Sequence, residues 1–144
     1  MAFLLDTNVV SEMRKVQAGK GDPGVFSWQS GIEKREMYIS AITAMELEMG
    51  VLLMERKDAA QGVVLRRWLV SVVLPVFESR ILGFDKAVAL RCAALHVPDP
   101  KPWRDGAIAA TALVHDMTVA TRNLRDFEGL GVALVNPWII GQNG

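Results

Sequence analysis

Five short apolar runs decide what this chain can become: "AFLLD" at 2–6, "MYIS" at 37–40, "RILGF" at 80–84, "MTVAT" at 117–121 and "VALVNPW" at 132–138. Each is too short for a helix and oily on both faces, so each predicts a strand that must be covered from above and below. Helical patterns lie between them, at 7–15, 25–36, 41–58, 59–73, 85–97 and 103–116, with "AGKGDPG" at 18–24 as a loop. Buried strands alternating with helices predict an α/β fold, a three-layer α/β/α arrangement around a mostly parallel sheet of about five strands. In such sheets the functional crevice lies beyond the carboxyl ends of the strands.

Composition narrows the setting. A chain of 144 residues with no internal repeat and no Pro/Gly/Ser linker is expected to form one domain, 1–144. Its longest oily region, "WLVSVVLPVF", is too short to span a bilayer and is interrupted by Pro75, so no membrane association is expected. The first residues lack a basic leader and carry Asp6 where a signal sequence would be apolar. The single cysteine, Cys92, cannot form an internal disulfide, which suits the reducing cytoplasm. A formal net charge of zero argues against a surface that grips nucleic acid all over, while leaving room for a local basic rim.

Four acidic places gather interest. Asp6 ends the first strand, where it could equally cap the following helix. Glu46 falls inside an apolar stripe of Ile42, Met45, Met49, Leu52 and Leu53, with Glu48 at the stripe's edge. A carboxylate on a buried face is costly without a cation, so Glu46 ligates something, joins an internal salt bridge or sits at the stripe's rim. Asp105 starts the small-residue helix "DGAIAATAL", again as ligand or cap. After the fourth strand, Thr121, Asn123 and Asp126 stand in "TRNLRDF", otherwise an ordinary polar turn. Parallel topology can bring all four places to one end of the sheet. Gathered carboxylates repel and partly protonate unless a cation holds them. Oxygen donors of this hardness suit Mg²⁺ or Mn²⁺, and the want of a Cys/His cluster argues against zinc.

In this order, "LLDTNVVSE", "SAITAMELEMGV", "RDGAIAATAL", "TVATRNLRDF" and "NPW" resemble a PIN-domain ribonuclease of the VapC type, the toxin of bacterial and archaeal toxin–antitoxin pairs. The resemblance implies a metal-dependent endoribonuclease that hydrolyses RNA phosphodiesters, with Mg²⁺ or Mn²⁺ as cofactor. Carried over position by position, it implies Asp6, Glu46 and Asp105 as metal ligands, with Asn8 and Thr121 as polar supports. Many relatives place an aspartate where this chain has Asn123, so Asp126 is expected to assist, directly or through water. The resemblance further implies a cognate antitoxin as partner.

In that chemistry Asp6 and Asp105 anchor the ion, and Glu46 orients or deprotonates the attacking water. A histidine-based ribonuclease is disfavoured, because His96 and His115 fall near helix carboxyl ends, where the dipole accounts for them. Cys92 reads as a buried thiol in an apolar helix. Lys101 to Arg104, "KPWR", combine cations with an aromatic ring and suit RNA contact. Arg14, Lys15, Lys20, Arg122 and Arg125 are weaker candidates. Asp85 reads as a helix cap, and Trp28, Trp68 and Trp138 as core or interface aromatics. Two alternatives stay open, a catalytically silent PIN-like module that binds RNA or protein and, well below it, a phospho-acceptor domain. The oily helices after the second strand, with "VLLM" and "WLVSVVL", carry more apolar surface than a small sheet needs, which predicts a homodimer or a groove for a partner helix.

Overall fold

The computed structural model describes residues 1–139. Its five strands are β1 (Phe3–Leu5), β2 (Met37–Ser40), β3 (Ile81–Leu82), β4 (Thr118–Ala120) and β5 (Leu134–Val135). They lie in the order β3-β2-β1-β4-β5, and every neighbouring pair is parallel. The chain walks outward from β1 through β2 to β3, then returns to the other side of β1 for β4 and β5. The boundary between β1 and β4 is therefore a topological switch point, where diverging connections leave a crevice. Leu5 pairs with Ala120 across that boundary, so Asp6 and Thr121 emerge side by side at the carboxyl edge. The Asp6 N–H still donates to the Ala120 carbonyl (2.9 Å), which prolongs the ladder by one bond.

Alternation along the strands builds two cores. Leu4 and Val119 enter one, with Val88, Ile108 and Phe127. Leu5 and Ala120 enter the other, with Val9, Ile39, Leu69, Val73 and Phe77. Successive side chains of a strand point to opposite faces, so these two lists place helices on both sides of the sheet. The helices are α1 (Thr7–Gln17), α2 (Pro23–Ser30), α3 (Ala41–Lys57), α4 (Ala59–Trp68), α5 (Leu74–Phe77), α6 (Lys86–Leu95) and α7 (Trp103–Val114). The α/β three-layer expectation holds.

Local differences have local causes. The helix expected over 25–36 starts earlier, because Pro23 fits the first helical position and the Asp22 carboxylate accepts from Gly24 N (2.8 Å) and Val25 N (3.2 Å). It stops at Gly31, and Lys34–Glu36 form a separate 3₁₀ turn. Pro75 does not break the oily region as expected. A π-helical turn at Leu69–Val73 joins α4 to α5, and the shift in winding gives Pro75 a first-turn position, where its missing N–H forfeits little. The resulting run, Ala59–Arg80, is long and apolar enough to cross a bilayer by length and composition alone. Here its Leu69, Val73 and Phe77 pack on the sheet.

The stripe predicted for α3 is rotated. Ile42, Thr43, Leu47 and Val51 are buried, whereas Met49, Leu52 and Leu53 face outward. Glu48 pairs with the Arg66 fork at 2.6 and 2.8 Å, and Glu55 joins at 3.1 Å, which ties α3 to α4. The two helices approach so closely that a Cβ on Gly62 would lie 2.6 Å from the Glu55 Cα. Outward from this pair, Leu52, Leu53, Val63, Val64, Val70 and Leu74 are exposed.

Candidate active site

At the end of β1, Asp6 is only 7% exposed. Thr121 Oγ1 donates to its Oδ2 (2.8 Å), Thr7 N to its Oδ1 (2.8 Å) and Asn8 Nδ2 to its Oδ2 (3.3 Å). Asn8 Oδ1 in turn accepts from Arg122 N (3.2 Å), and Thr121 Oγ1 accepts from Asn123 N (3.0 Å). These bonds fix the carboxylate between the first and fourth strands. Asp6 is also the N-cap residue of α1, but its carbonyl takes Val9 N and Val10 N, and of the helix backbone its carboxylate takes the Thr7 N–H alone. Burial pushes its pKa up, the Thr121 and Thr7 bonds oppose that, and the charges of Glu46 and Asp126 add to it.

Glu46 lies across the crevice on α3. Thr7 Oγ1 donates to its Oε1 (2.7 Å), and Arg104 Nη1 stands 3.5 Å from its Oε2. The ion pair foreseen as one possibility for Glu46 is therefore present, at the crevice rim, with Arg104 as the cation. Thr43 Oγ1, 3.5 Å from Thr7 Oγ1, completes the contact between α1 and α3. Thr7 and Thr43 were missed by sequence reasoning. The usable signal was a hydroxyl three residues before Glu46, on the same face of α3.

The helix carrying Asp105, α7, begins at Trp103, as expected, so Asp105 is not its cap. Asp105 stands at the third position, in the first turn, where the peptide dipoles favour a negative charge. Among the described residues no protein hydrogen bond reaches its carboxylate, and burial pushes its pKa up to about 6, with the charges of Asp126, Asp6 and Glu46 adding in that order. Asp126 sits in a 3₁₀ turn, Leu124–Phe127, and its charge weighs on Asp105 more than that of Asp6 or Glu46 does. Asn123 acts through its backbone, donating to Thr121 and accepting from Asp126 N (3.1 Å), so that it holds the turn carrying Asp126.

Asp6 and Asp105 thus lie within electrostatic reach of each other and of both Glu46 and Asp126, with Arg104 facing Glu46 as a cation. Among the described residues no three acidic, histidine or cysteine side chains stand in direct chelating range of one ion. That arrangement fits Mg²⁺ or Mn²⁺, which keeps several waters and is bound through one or two carboxylates, better than a closed zinc cage. His96 and His115 cap the carboxyl ends of α6 and α7, as expected. Cys92 is buried, 3.7 Å from His96 Nε2.

The weaker basic candidates divide. Arg122 flanks the crevice, stacked on Trp138 at 5.3 Å. Arg14 does not. It stacks on Trp68 at 6.0 Å and lines an apolar groove of about 310 Å³ beside Met37, the first residue of β2. Lys15 pairs with Glu12 at 3.8 Å. Helical spacing turned both side chains off the acidic edge. In the same groove Gln29 Oε1 is buried with no hydrogen-bond partner among the described residues.

The PIN domain family model matches residues 3–131. Toxin FitB of Neisseria gonorrhoeae is 39% identical over 141 residues, covering 94% of this chain and 98% of that protein. VapC ribonuclease Y4jK of Sinorhizobium fredii is 34% identical over 141 residues, covering 94% and 97%. Among solved structures, FitAB bound to an IR36 DNA fragment superposes with a TM-score of 0.85 at 37% identity, covering 96% of each chain.

Proposed function

The chain belongs to the PIN-domain family, and on that premise we propose that it is a metal-dependent endoribonuclease, the toxin of a VapBC-type toxin–antitoxin pair. The observation that carries the reading is the meeting of Asp6, Glu46, Asp105 and Asp126 at the switch point of a parallel sheet, with Asp105 left unbonded and its pKa raised to about 6. The likeness to a protein named a VapC ribonuclease supplies the substrate class.

Asp6 and Asp105 would hold a hydrated Mg²⁺ or Mn²⁺, with Glu46 reaching the ion through its waters, and the ion would supply Lewis acidity and a water of lowered pKa. Asp6 is the rigid anchor, because three donors fix it. Asp105 brings a carboxylate that no hydrogen bond from the described residues reaches. Glu46, aimed by Thr7, orients or deprotonates the attacking water. Asp126 and Asn123 support the site from the turn after β4, and Asn8 and Thr121 keep Asp6 in place. Arg104 meets the phosphate as the RNA backbone enters. The whole chain acts as one nuclease domain in the cytoplasm.

A nuclease of this kind needs restraint. Its likeness to FitB, named a toxin and solved in a FitAB assembly, points to a cognate antitoxin. The apolar groove rimmed by Arg14 and Lys34 suits an antitoxin segment with apolar anchors and acidic flanks. The exposed apolar strip along α3, α4 and α5 suits a homodimer. The test is incubation of the chain with RNA and Mn²⁺. Cleavage lost both with EDTA and with Asp6→Asn supports the reading, and RNA bound but left intact favours a silent module.

A further inference from the structure

Of the four tryptophans, Trp103 alone is exposed, at 54%, while Trp28 is buried and Trp68 and Trp138 are partly buried against the second core. An indole left in water forfeits a large apolar burial. Arg104 lies over the Trp103 ring, its guanidinium carbon 5.7 Å from the centroid, and the same guanidinium reaches Glu46. Asp105 follows directly on the chain. An aromatic surface and a cation therefore stand side by side at the mouth of the acidic crevice. The stacked pair across the crevice, Arg122 on Trp138, differs in that Trp138 packs into the second core.

We propose that Trp103 and Arg104 form a nucleotide subsite, in which Trp103 stacks on a base of single-stranded RNA and Arg104 takes the adjoining phosphate. The assignment deepens the ribonuclease reading and rests on it. Every base offers a π-face, so an exposed indole binds single strands with little sequence preference, and the guanidinium adds the charge that a phosphate requires. Arg104 already faces a carboxylate oxygen of Glu46, and a phosphate oxygen presents it with the same kind of acceptor. The subsite therefore lies next to the scissile bond. A protein partner could also cover an exposed tryptophan, but the position beside Asp105 favours RNA.

The experiment measures binding of a labelled single-stranded RNA, by fluorescence anisotropy in Mn²⁺, to the full chain carrying Asp6→Asn. Trp103→Ala is expected to weaken binding about tenfold or more, and Trp103→Phe by no more than about threefold. Trp103→Phe also removes the part of tryptophan quenching that RNA causes. Neither variant changes affinity for an abasic oligonucleotide of the same length. RNA bound as tightly by Trp103→Ala as by its parent overturns the subsite and leaves the indole to a protein partner. An equal loss on the abasic probe overturns it too, by showing general damage. A parent chain that binds no RNA sinks the ribonuclease reading itself, and one that still cleaves RNA removes Asp6 from the essential acids.

Discussion

In the first turn of α7, the Asp105 carboxyl has three other acids within electrostatic reach and no donor of its own, and its pKa rises from 3.8 to about 6. The folded protein therefore keeps a proton there at pH values where the unfolded chain has released it. By linkage, stability falls as pH rises through that window. Without divalent ions, Asp105→Asn should therefore be more stable than the parent at neutral pH, and thermal unfolding should show the gap closing below 3.8. Mn²⁺ should reverse the order at neutral pH by stabilising the parent more. Thr121→Val removes the 2.8 Å bond that holds Asp6 and leaves a buried carboxylate short of a donor. RNA cleavage should drop by about 10–100-fold, the range for lost orienting partners, with the fold retained by circular dichroism. Arg104→Ala takes a cation from beside Glu46. Calorimetry should then show tighter Mn²⁺ binding together with weaker RNA binding.

The α3–α4 pair is tested by Gly62→Ala. Its new methyl would meet the Glu55 backbone, so the helices must part, at about 1–3 kcal/mol read from denaturant unfolding. Elements were legible in the sequence where one signal dominated. Strands stood out because both faces are apolar, and α2 was misplaced at its start because Asp22 and Pro23 resemble a loop until they are seen as cap and first residue. The continuous helix through Pro75 was not legible, since a π turn leaves no pattern in side-chain periodicity. Glu46 was singled out from a stripe that proves partly exposed, because an apolar surface reserved for a partner looks like core in a sequence. The start of α7 at Trp103 was legible, whereas the cap reading of Asp105 fails because the residue falls inside the first turn. The hydroxyl supports Thr7 and Thr43 were hidden, because helical threonines read as caps or as ordinary packing.

For the whole molecule, strand order does most to build the crevice. β1 and β4 leave the switch point side by side, and residues 120 apart at most in the chain, Asp6 and Asp126, come into electrostatic contact. No local pattern could reveal that; the general rule for parallel sheets and the family resemblance anticipated it. The outer strip, with Leu53 at 66% exposure, belongs to this scale as well. Leu53→Glu should shift the chain to a monomer in sedimentation while leaving its unfolding midpoint nearly unchanged, and unchanged sedimentation would remove α3 from the interface. The central claim is that the acids at the carboxyl edge hold one hard dication. Anomalous diffraction from crystals soaked in Mn²⁺ tests it most directly. The account predicts a peak between Asp6 and Asp105, with Glu46 and Asp126 reaching it directly or through water. A crystal with full Mn²⁺ occupancy elsewhere and no peak in the crevice would contradict it.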